Sequence, residues 1–171
     1  DRPKAIAAPF HWSTLGCVSE GLHSVELGEA GARYLHRAAA TSRMGRFQIE
    51  AAIQSVHCAR ATAGVTDWVT LRTLYAALLS IAPTLGARVA HAAAVGRVEG
   101  PIAGLATLDT IPEQTVHRFQ PAWATRAQLL FEAGSLDEAL AAYDKAISLT
   151  THIGERAYLE RRRAQVMQGG S

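Results

Sequence analysis

Apolar residues recur at helical spacing over most of the chain, and the pattern is clearest between Ala122 and Leu149. Trp123, Ala127 and Leu130 are spaced four and three residues apart, so they share one face of a predicted helix. Gly134 can end that helix in a left-handed conformation. The first half of the segment is therefore predicted to be a short amphipathic helix that stops at a tight turn.

A second helix is predicted directly after this turn. Ser135 and Glu138 have the spacing of a capping box, in which the two side chains satisfy free backbone N–H groups of the first helical turn. An apolar stripe follows on one face of the helix. The stripe consists of Leu136, Ala139, Leu140, Tyr143, Ala146 and Ile147. Because Ala127 and Ala139 are small, the two helices can approach each other closely.

The paired helices resemble a tetratricopeptide repeat. Arg126 stands where the repeat usually has a Leu, and Thr151 where a Pro commonly closes it. A weaker copy lies about 34 residues upstream, where Ala93 and Gly100 take the corresponding positions and Pro101 begins a helix. The resemblance implies that the two copies stack against each other.

Helical spacing predicts most of the remaining chain as well. Further helices are predicted over Ser13–Leu27, over Ala30–Ala40, from Gly45 onwards, and between the cap residue Asp67 and Pro83. The helix after Gly45 carries a set of apolar residues at helical spacing, namely Phe47, Ile49, Ala52, Ile53, Val56 and Ala59. The helix after Asp67 is strongly apolar, so we expect it to lie deepest in the core.

Composition and charge exclude several classes of function. The 171 residues carry a formal net charge of +2, which does not indicate nucleic-acid binding. The three arginines at 161–163 are better explained by a solvated terminal helix than by nucleic-acid contact. No apolar run is long enough to span a membrane, so a soluble, cytoplasmic protein is expected. Cys17 and Cys58 lie far apart without metal-ligand spacing, and both are expected to be buried free thiols.

Four sequence blocks carry a more specific resemblance. They are GRFQIEAAIQSVH at Gly45–His57, DWVTLRTLYAALLSIAP at Asp67–Pro83, EGPIAGLATLD at Glu99–Asp109 and LTTHIGERAYLERR at Leu149–Arg162. In this order they resemble the C-terminal extension of a bacterial group of extracytoplasmic-function RNA polymerase sigma factors, whose tail carries tetratricopeptide-like repeats. The resemblance covers nearly the whole chain, from about Trp12 onwards.

The resemblance implies that the full-length protein takes part in transcription initiation and that this chain is its regulatory or partner-binding tail. The sigma core regions are absent from the chain, so DNA would be contacted only through them. The partner would be a protein, such as the sigma core regions or RNA polymerase, and not a membrane. That family usually has an Asn-Arg pair where this chain has Ala90 and His91, so a contact of the pair would be lost or altered. The alternative is a free-standing tetratricopeptide adaptor that binds a peptide or protein.

We predict an all-α fold of stacked antiparallel helical hairpins, arranged as a right-handed array like that of tetratricopeptide repeats. Residues 1–12 are predicted to be a linker and residues 13–171 a single helical domain. The parts of the domain are the family-specific helices at 13–83, the degenerate repeat at 84–118, the tetratricopeptide repeat at 119–152 and a capping helix at 153–168. The capping helix has a polar outer face, which an array needs where it ends in water.

Stacked hairpins leave a concave surface lined by the first helix of each unit. On the better repeat the outward positions of that helix are Thr125, Gln128, Phe131 and Glu132, which are candidate partner-binding residues. The alternative is that Phe131 packs on a neighbouring helix and that the polar residues are solvated.

No enzyme, cofactor or metal site is predicted, because the chain lacks a phosphate-binding loop, a nucleophile elbow and paired catalytic carboxylates. Glu20 and His23 form an E-x-x-H pair, but a di-iron site needs a second copy. The spacing of Glu50, Gln54, His57 and Cys58 allows them to share part of a helix face. A packed or hydrogen-bonded His57 is favoured there over a metal ligand or catalytic base.

Overall fold

The computed structural model describes residues 45–169, apart from the side chain of Thr62. This part of the chain folds into eight helices: α1 Arg46–Ala63, α2 Trp68–Ile81, α3 Leu85–Glu99, α4 Pro101–Asp109, α5 Glu113–Val116, α6 Gln120–Glu132, α7 Leu136–Leu149 and α8 Ile153–Gly169. Several sequence predictions lie outside the described residues, namely the linker at 1–12, the helices Ser13–Leu27 and Ala30–Ala40, the thiol of Cys17 and the Glu20–His23 pair.

Consecutive long helices pack against each other from α1 to α4 and again from α6 to α8, while α3 and α4 also contact α6. Because the connections are short, neighbouring helices run antiparallel. Residues 45–169 contain no strand. The predicted all-α fold of stacked helical hairpins is therefore confirmed for this part of the chain. No helix in it has the length and apolar character needed to cross a membrane.

Local chemistry explains where the first three helices begin. The Gly45 N–H donates to Gln48 Oε1 at 2.8 Å ahead of α1. Asp67 Oδ1 accepts from the Thr70 N–H at 3.0 Å ahead of α2, and Thr84 Oγ1 accepts from the Ala87 N–H at 3.2 Å ahead of α3. Each bond satisfies a backbone donor that has no partner within the helix. The predicted starts at Gly45 and Asp67 are confirmed.

The turn between α6 and α7 closes around Gly134, which has a φ of 84°. The Gly134 N–H donates to the Phe131 carbonyl at 3.1 Å, and the Ser135 N–H donates to the Leu130 carbonyl at 2.9 Å. This pair of bonds is a Schellman motif, so the predicted left-handed stop is confirmed. The predicted capping box is wrong, because the Ser135 side chain makes no capping hydrogen bond.

The predicted apolar faces of α6 and α7 meet in one core cluster together with α8. Its buried members are Ala124, Ala127, Leu130, Ala139, Ala142, Tyr143, Ala146, Leu159 and Val166. Ala127 and Ala139 are fully buried, as expected for residues that let two helices approach closely. Leu136, Leu140 and Ile147 pack at the edge of the same cluster. The stripe read from the sequence is thus the real contact face of α7.

The apolar residues that recur along α1 differ in burial, because Phe47 is 79% exposed while Ile49 and Ile53 are buried. The prediction for α2 is wrong. Helix α2 does not lie deepest, because it buries only Leu71 and Leu78 fully, whereas α3 and α6 each bury seven residues. Helix α3 packs on three described neighbours and α6 on four, so the centre of this part of the chain lies between them.

Cys58 is half-buried rather than buried as predicted. At the other end, the polar outer face predicted for the last helix is confirmed. Leu159 and Val166 are buried against the stack, while Glu160 and Arg161 are exposed.

Candidate functional site

A cleft of about 720 Å³ lies between α1, α2, α3 and the start of α6. Its walls are largely apolar. Trp68 and Tyr75 of α2 and Phe119, just ahead of α6, line it with aromatic rings, and Ala90 and Ala93 of α3 line it with small side chains.

Polar side chains line the α1 side of the cleft. Arg46, Glu50, Gln54 and His57 follow one another at intervals of four, four and three residues, so they share one face of the helix. Arg46 Nε contacts Glu50 Oε1 at 2.8 Å, and both side chains remain in contact with water. The Arg46–Glu50 pair therefore belongs to the polar side of the cleft.

His57 lies against α2. Its Nε2 is 3.5 Å from the hydroxyl oxygen of Tyr75. Burial raises the pKa of Tyr75 to about 12, since the ionised phenolate would be poorly solvated in this position. The interpretation of His57 as a packed residue beside a hydrogen-bonding group agrees with this geometry. Residues 45–169 contain no group of three or more His, Cys, Asp or Glu side chains that could hold a metal ion.

The four residues predicted to bind a partner do not form an outward-facing row. Thr125 and Gln128 are 5% and 7% exposed, and Phe131 packs against the core cluster of α6, α7 and α8. The expectation that these positions point outward is wrong for Thr125 and Gln128. They are buried because α6 has neighbours on several sides and not only on the α7 side. Of the four residues, Thr125 lines the cleft.

Gln128 is the centre of a hydrogen-bond network. Its Nε2 donates to Glu132 Oε1 at 2.6 Å, and its Oε1 accepts from the Tyr143 hydroxyl at 3.2 Å. The Arg162 guanidinium donates to the same Oε1 atom. Glu132 also contacts Arg97 NH1 of α3 at 2.7 Å. The network joins four helices, so Gln128 and Glu132 hold the stack together.

The arginines at 161–163 face different ways. Arg162 turns inward to Gln128, and Arg163 Nε contacts Asp144 Oδ1 at 2.6 Å. Arg161 is exposed. The three side chains therefore do not form one basic surface, which agrees with the interpretation of a solvated terminal helix.

Ala90 and His91 lie beside different cavities. Ala90 lines the cleft, whereas His91 lines a smaller cavity of about 180 Å³ next to α4. Burial, together with the positive charge of Arg72, lowers the pKa of His91. The two positions that depart from the sigma-factor pattern therefore face separate surroundings.

The sequence did not single out the aromatic residues of the cleft as a site. Trp68 and Tyr75 are seven residues apart, and this spacing, which places both on one face of α2, was a usable signal. Phe119 precedes its helix and offered no periodic signal. Its approach to α1 and α2 depends on the way α6 packs against α3.

The chain is similar to an uncharacterized protein of Rhizobium meliloti (strain 1021), with 36% identity over 117 residues. The aligned segment is 68% of this chain and 27% of the relative, so the chain spans about a quarter of the protein that it matches. No protein-family model matches the chain, and no solved structure matches it.

Proposed function

We propose that this chain is a protein-interaction domain of a bacterial sigma factor and acts in transcription initiation in the cytoplasm. The sigma core regions, which would bind polymerase and promoter DNA, lie outside this chain. The domain would contact the sigma core regions or RNA polymerase and so modulate initiation. It would carry out no catalysis and need no cofactor.

The observation that carries the proposal is the position of the sigma-factor-like blocks around the cleft. The block Gly45–His57 contributes the polar side of the cleft, and the block Asp67–Pro83 contributes Trp68 and Tyr75. Two separate blocks of the resemblance thus meet in one place. The size of the relative agrees with the proposal, because a tail domain is expected to match part of a longer protein.

A reconstituted transcription assay tests this proposal. We expect that deleting the domain from the full-length protein changes the amount of transcript made from its cognate promoters by purified RNA polymerase. Ala90→Trp, which fills the cleft, should change it in the same direction. Ala141→Trp, on the exposed side of α7, is the matched control and should leave it unchanged. Unaltered transcription after deletion of the domain would refute the regulatory role.

A free-standing tetratricopeptide adaptor is the second candidate. The hairpin of α6 and α7, with its Schellman turn and its Ala127–Ala139 contact, supports it without any link to transcription. The coding sequence upstream of Asp1 separates the two candidates. Promoter-binding helices encoded there favour the sigma factor, and a start codon next to Asp1 favours the adaptor.

A further inference from the structure

The charge of the cleft limits what it can bind. Of the described side chains that line it, Arg46 and Glu50 carry opposite charges, and they pair with each other at the solvent-exposed edge. Most of the remaining lining is apolar and includes Trp68, Tyr75, Phe119 and small residues of α3. A charged ligand would lose its hydration there without gaining a partner of opposite charge. The cleft therefore suits a neutral ligand.

The aromatic side chains are held in place before any ligand arrives. The guanidinium of Arg97 lies over the Trp68 ring, with Cζ 5.7 Å from the ring centroid, and Glu132 in turn holds Arg97. Tyr75 is largely buried. Rings that are fixed in advance lose little conformational entropy on binding, and they favour a flat aromatic ligand that can stack against them.

A few polar groups also line the cleft. Gln54 offers an amide on the α1 side, and Thr125 offers a hydroxyl on the α6 side. A cavity of about 720 Å³ with apolar walls and a small number of hydrogen-bonding groups has the size and composition of a small-molecule site. We propose that the cleft binds an uncharged, flat aromatic small molecule that carries one or two hydrogen-bonding groups. This site is a property of the chain itself and does not rest on a role in transcription.

Two dyes with the same aromatic rings test whether the cleft prefers a neutral ligand to a charged one. N-phenyl-1-naphthylamine is neutral, and 8-anilino-1-naphthalenesulfonate differs from it by a sulfonate. We expect the purified full chain to bind the neutral dye at one site, measured by direct excitation of the dye, and to bind the sulfonate at least about tenfold more weakly. Equal or tighter binding of the sulfonate, or the absence of saturable binding of the neutral dye, would overturn the proposal.

Variants locate the site. Ala90→Trp should weaken binding of the neutral dye at least about tenfold, because the new ring occupies the cleft. Ala141→Trp adds the same ring outside the cleft and should leave binding unchanged. Ala51 also lines the cleft but is exposed on α1, so a larger side chain there does not disturb the core. Ala51→Trp should weaken binding of the neutral dye at least about threefold. Circular dichroism checks that each variant is folded.

Other occupants would give different results. If the full chain fails to bind the dye but a chain that starts at Gly45 binds it, the cleft belongs to residues 1–44, and the proposal is wrong. If neither form binds the dye, the cleft does not bind small aromatic molecules, and the proposal is wrong. Binding that is unchanged in both Ala51→Trp and Ala90→Trp places the dye elsewhere and also overturns the proposal.

Discussion

Arg97 of α3 and Glu132 of α6 form an ion pair across the centre of the stack, with 2.7 Å between Arg97 NH1 and Glu132 Oε1. Their side chains are 16% and 18% exposed, so water screens the pair poorly. The Arg97 NH2 atom is buried and has no hydrogen-bond partner within the described residues. The Glu132 carboxylate therefore supplies the negative charge that pairs with the largely buried Arg97 guanidinium.

Glu132→Gln should lower the free energy of unfolding by about 3 kcal/mol, because it leaves the Arg97 charge buried and unpaired. It also weakens the bond from Gln128 Nε2, which is made to a charged acceptor in the native protein. The change is measured by urea unfolding. Asp144→Asn is the control, because it removes an ion pair with Arg163 that is well exposed and should cost less than about 1 kcal/mol. Equal losses in the two variants would show that the Arg97–Glu132 pair has no special weight.

A second prediction concerns the crossing of α3 and α4, where two glycines face each other. A Cβ atom on Gly104 would lie 2.7 Å from the Cα of Gly96 and 3.1 Å from the carbonyl oxygen of Ala92. Both are backbone atoms, which cannot move aside without separating the helices. Gly104→Ala should therefore lower the free energy of unfolding by about 2 kcal/mol, measured by thermal or urea unfolding.

Gly154→Ala is the matched control for this effect. Gly154 lies in the first turn of α8, and the nearest atom to an added Cβ is Cε1 of the exposed His152 ring at 3.4 Å. Here the substitution should be neutral or should stabilise by up to about 1 kcal/mol, since alanine is the better helix former. If both substitutions have the same sign and size, the close approach of α3 and α4 is not what decides the result.

The features that the sequence predicted well are those decided by neighbouring residues. Gly134 ends α6 and Asp67 begins α2 because the necessary backbone conformation and side-chain acceptor are local. Gln128 lies inward rather than outward, because two of its partners, Tyr143 and Arg162, come from other helices. Arg162 lies 34 residues away, which is one repeat length, so stacked repeats bring the two residues together. The 34-residue period therefore indicates, from the sequence alone, that Gln128 and Arg162 lie close together.

The cleft was harder to predict than the fold. Periodicity places Glu50, Gln54 and His57 on one face of α1, and the structure shows that all three line the cleft. Periodicity could not show that this face lies opposite Phe119 and Thr125. Their meeting depends on how α1, α3 and α6 cross, which is set by packing between residues far apart in the chain.

The raised pKa of Tyr75 predicts a loss of stability at alkaline pH. In the unfolded chain the phenol ionises near its ordinary pKa of 10.0, whereas in the folded protein it stays protonated until about pH 12. The folded state therefore binds more protons between these values, so the free energy of unfolding falls as the pH rises through this window. The fall attributable to this residue is about 2 kcal/mol.

Tyr75→Phe removes the ionisable group and should reduce the alkaline loss, although other tyrosines still titrate. The measurement is urea unfolding of both proteins below pH 10 and again between pH 10 and 12. The difference in stability between wild type and variant should move in favour of the variant across this window. A difference that does not change with pH would mean that Tyr75 ionises as easily in the folded protein as in the unfolded chain.

The last prediction separates two residues that both precede a helix. Thr84 Oγ1 accepts from the Ala87 N–H ahead of α3, whereas the Ser135 side chain makes no such bond ahead of α7. Thr84→Ala should therefore lower the free energy of unfolding by about 1 kcal/mol, and Ser135→Ala by well under half of that. The reason is that α7 is entered directly from the Schellman turn at Gly134, where the backbone N–H of Ser135 already donates to the Leu130 carbonyl. Urea unfolding of the two variants measures the difference. A larger loss for Ser135→Ala would mean that the hydroxyl caps α7 in solution, as the spacing of Ser135 and Glu138 predicts.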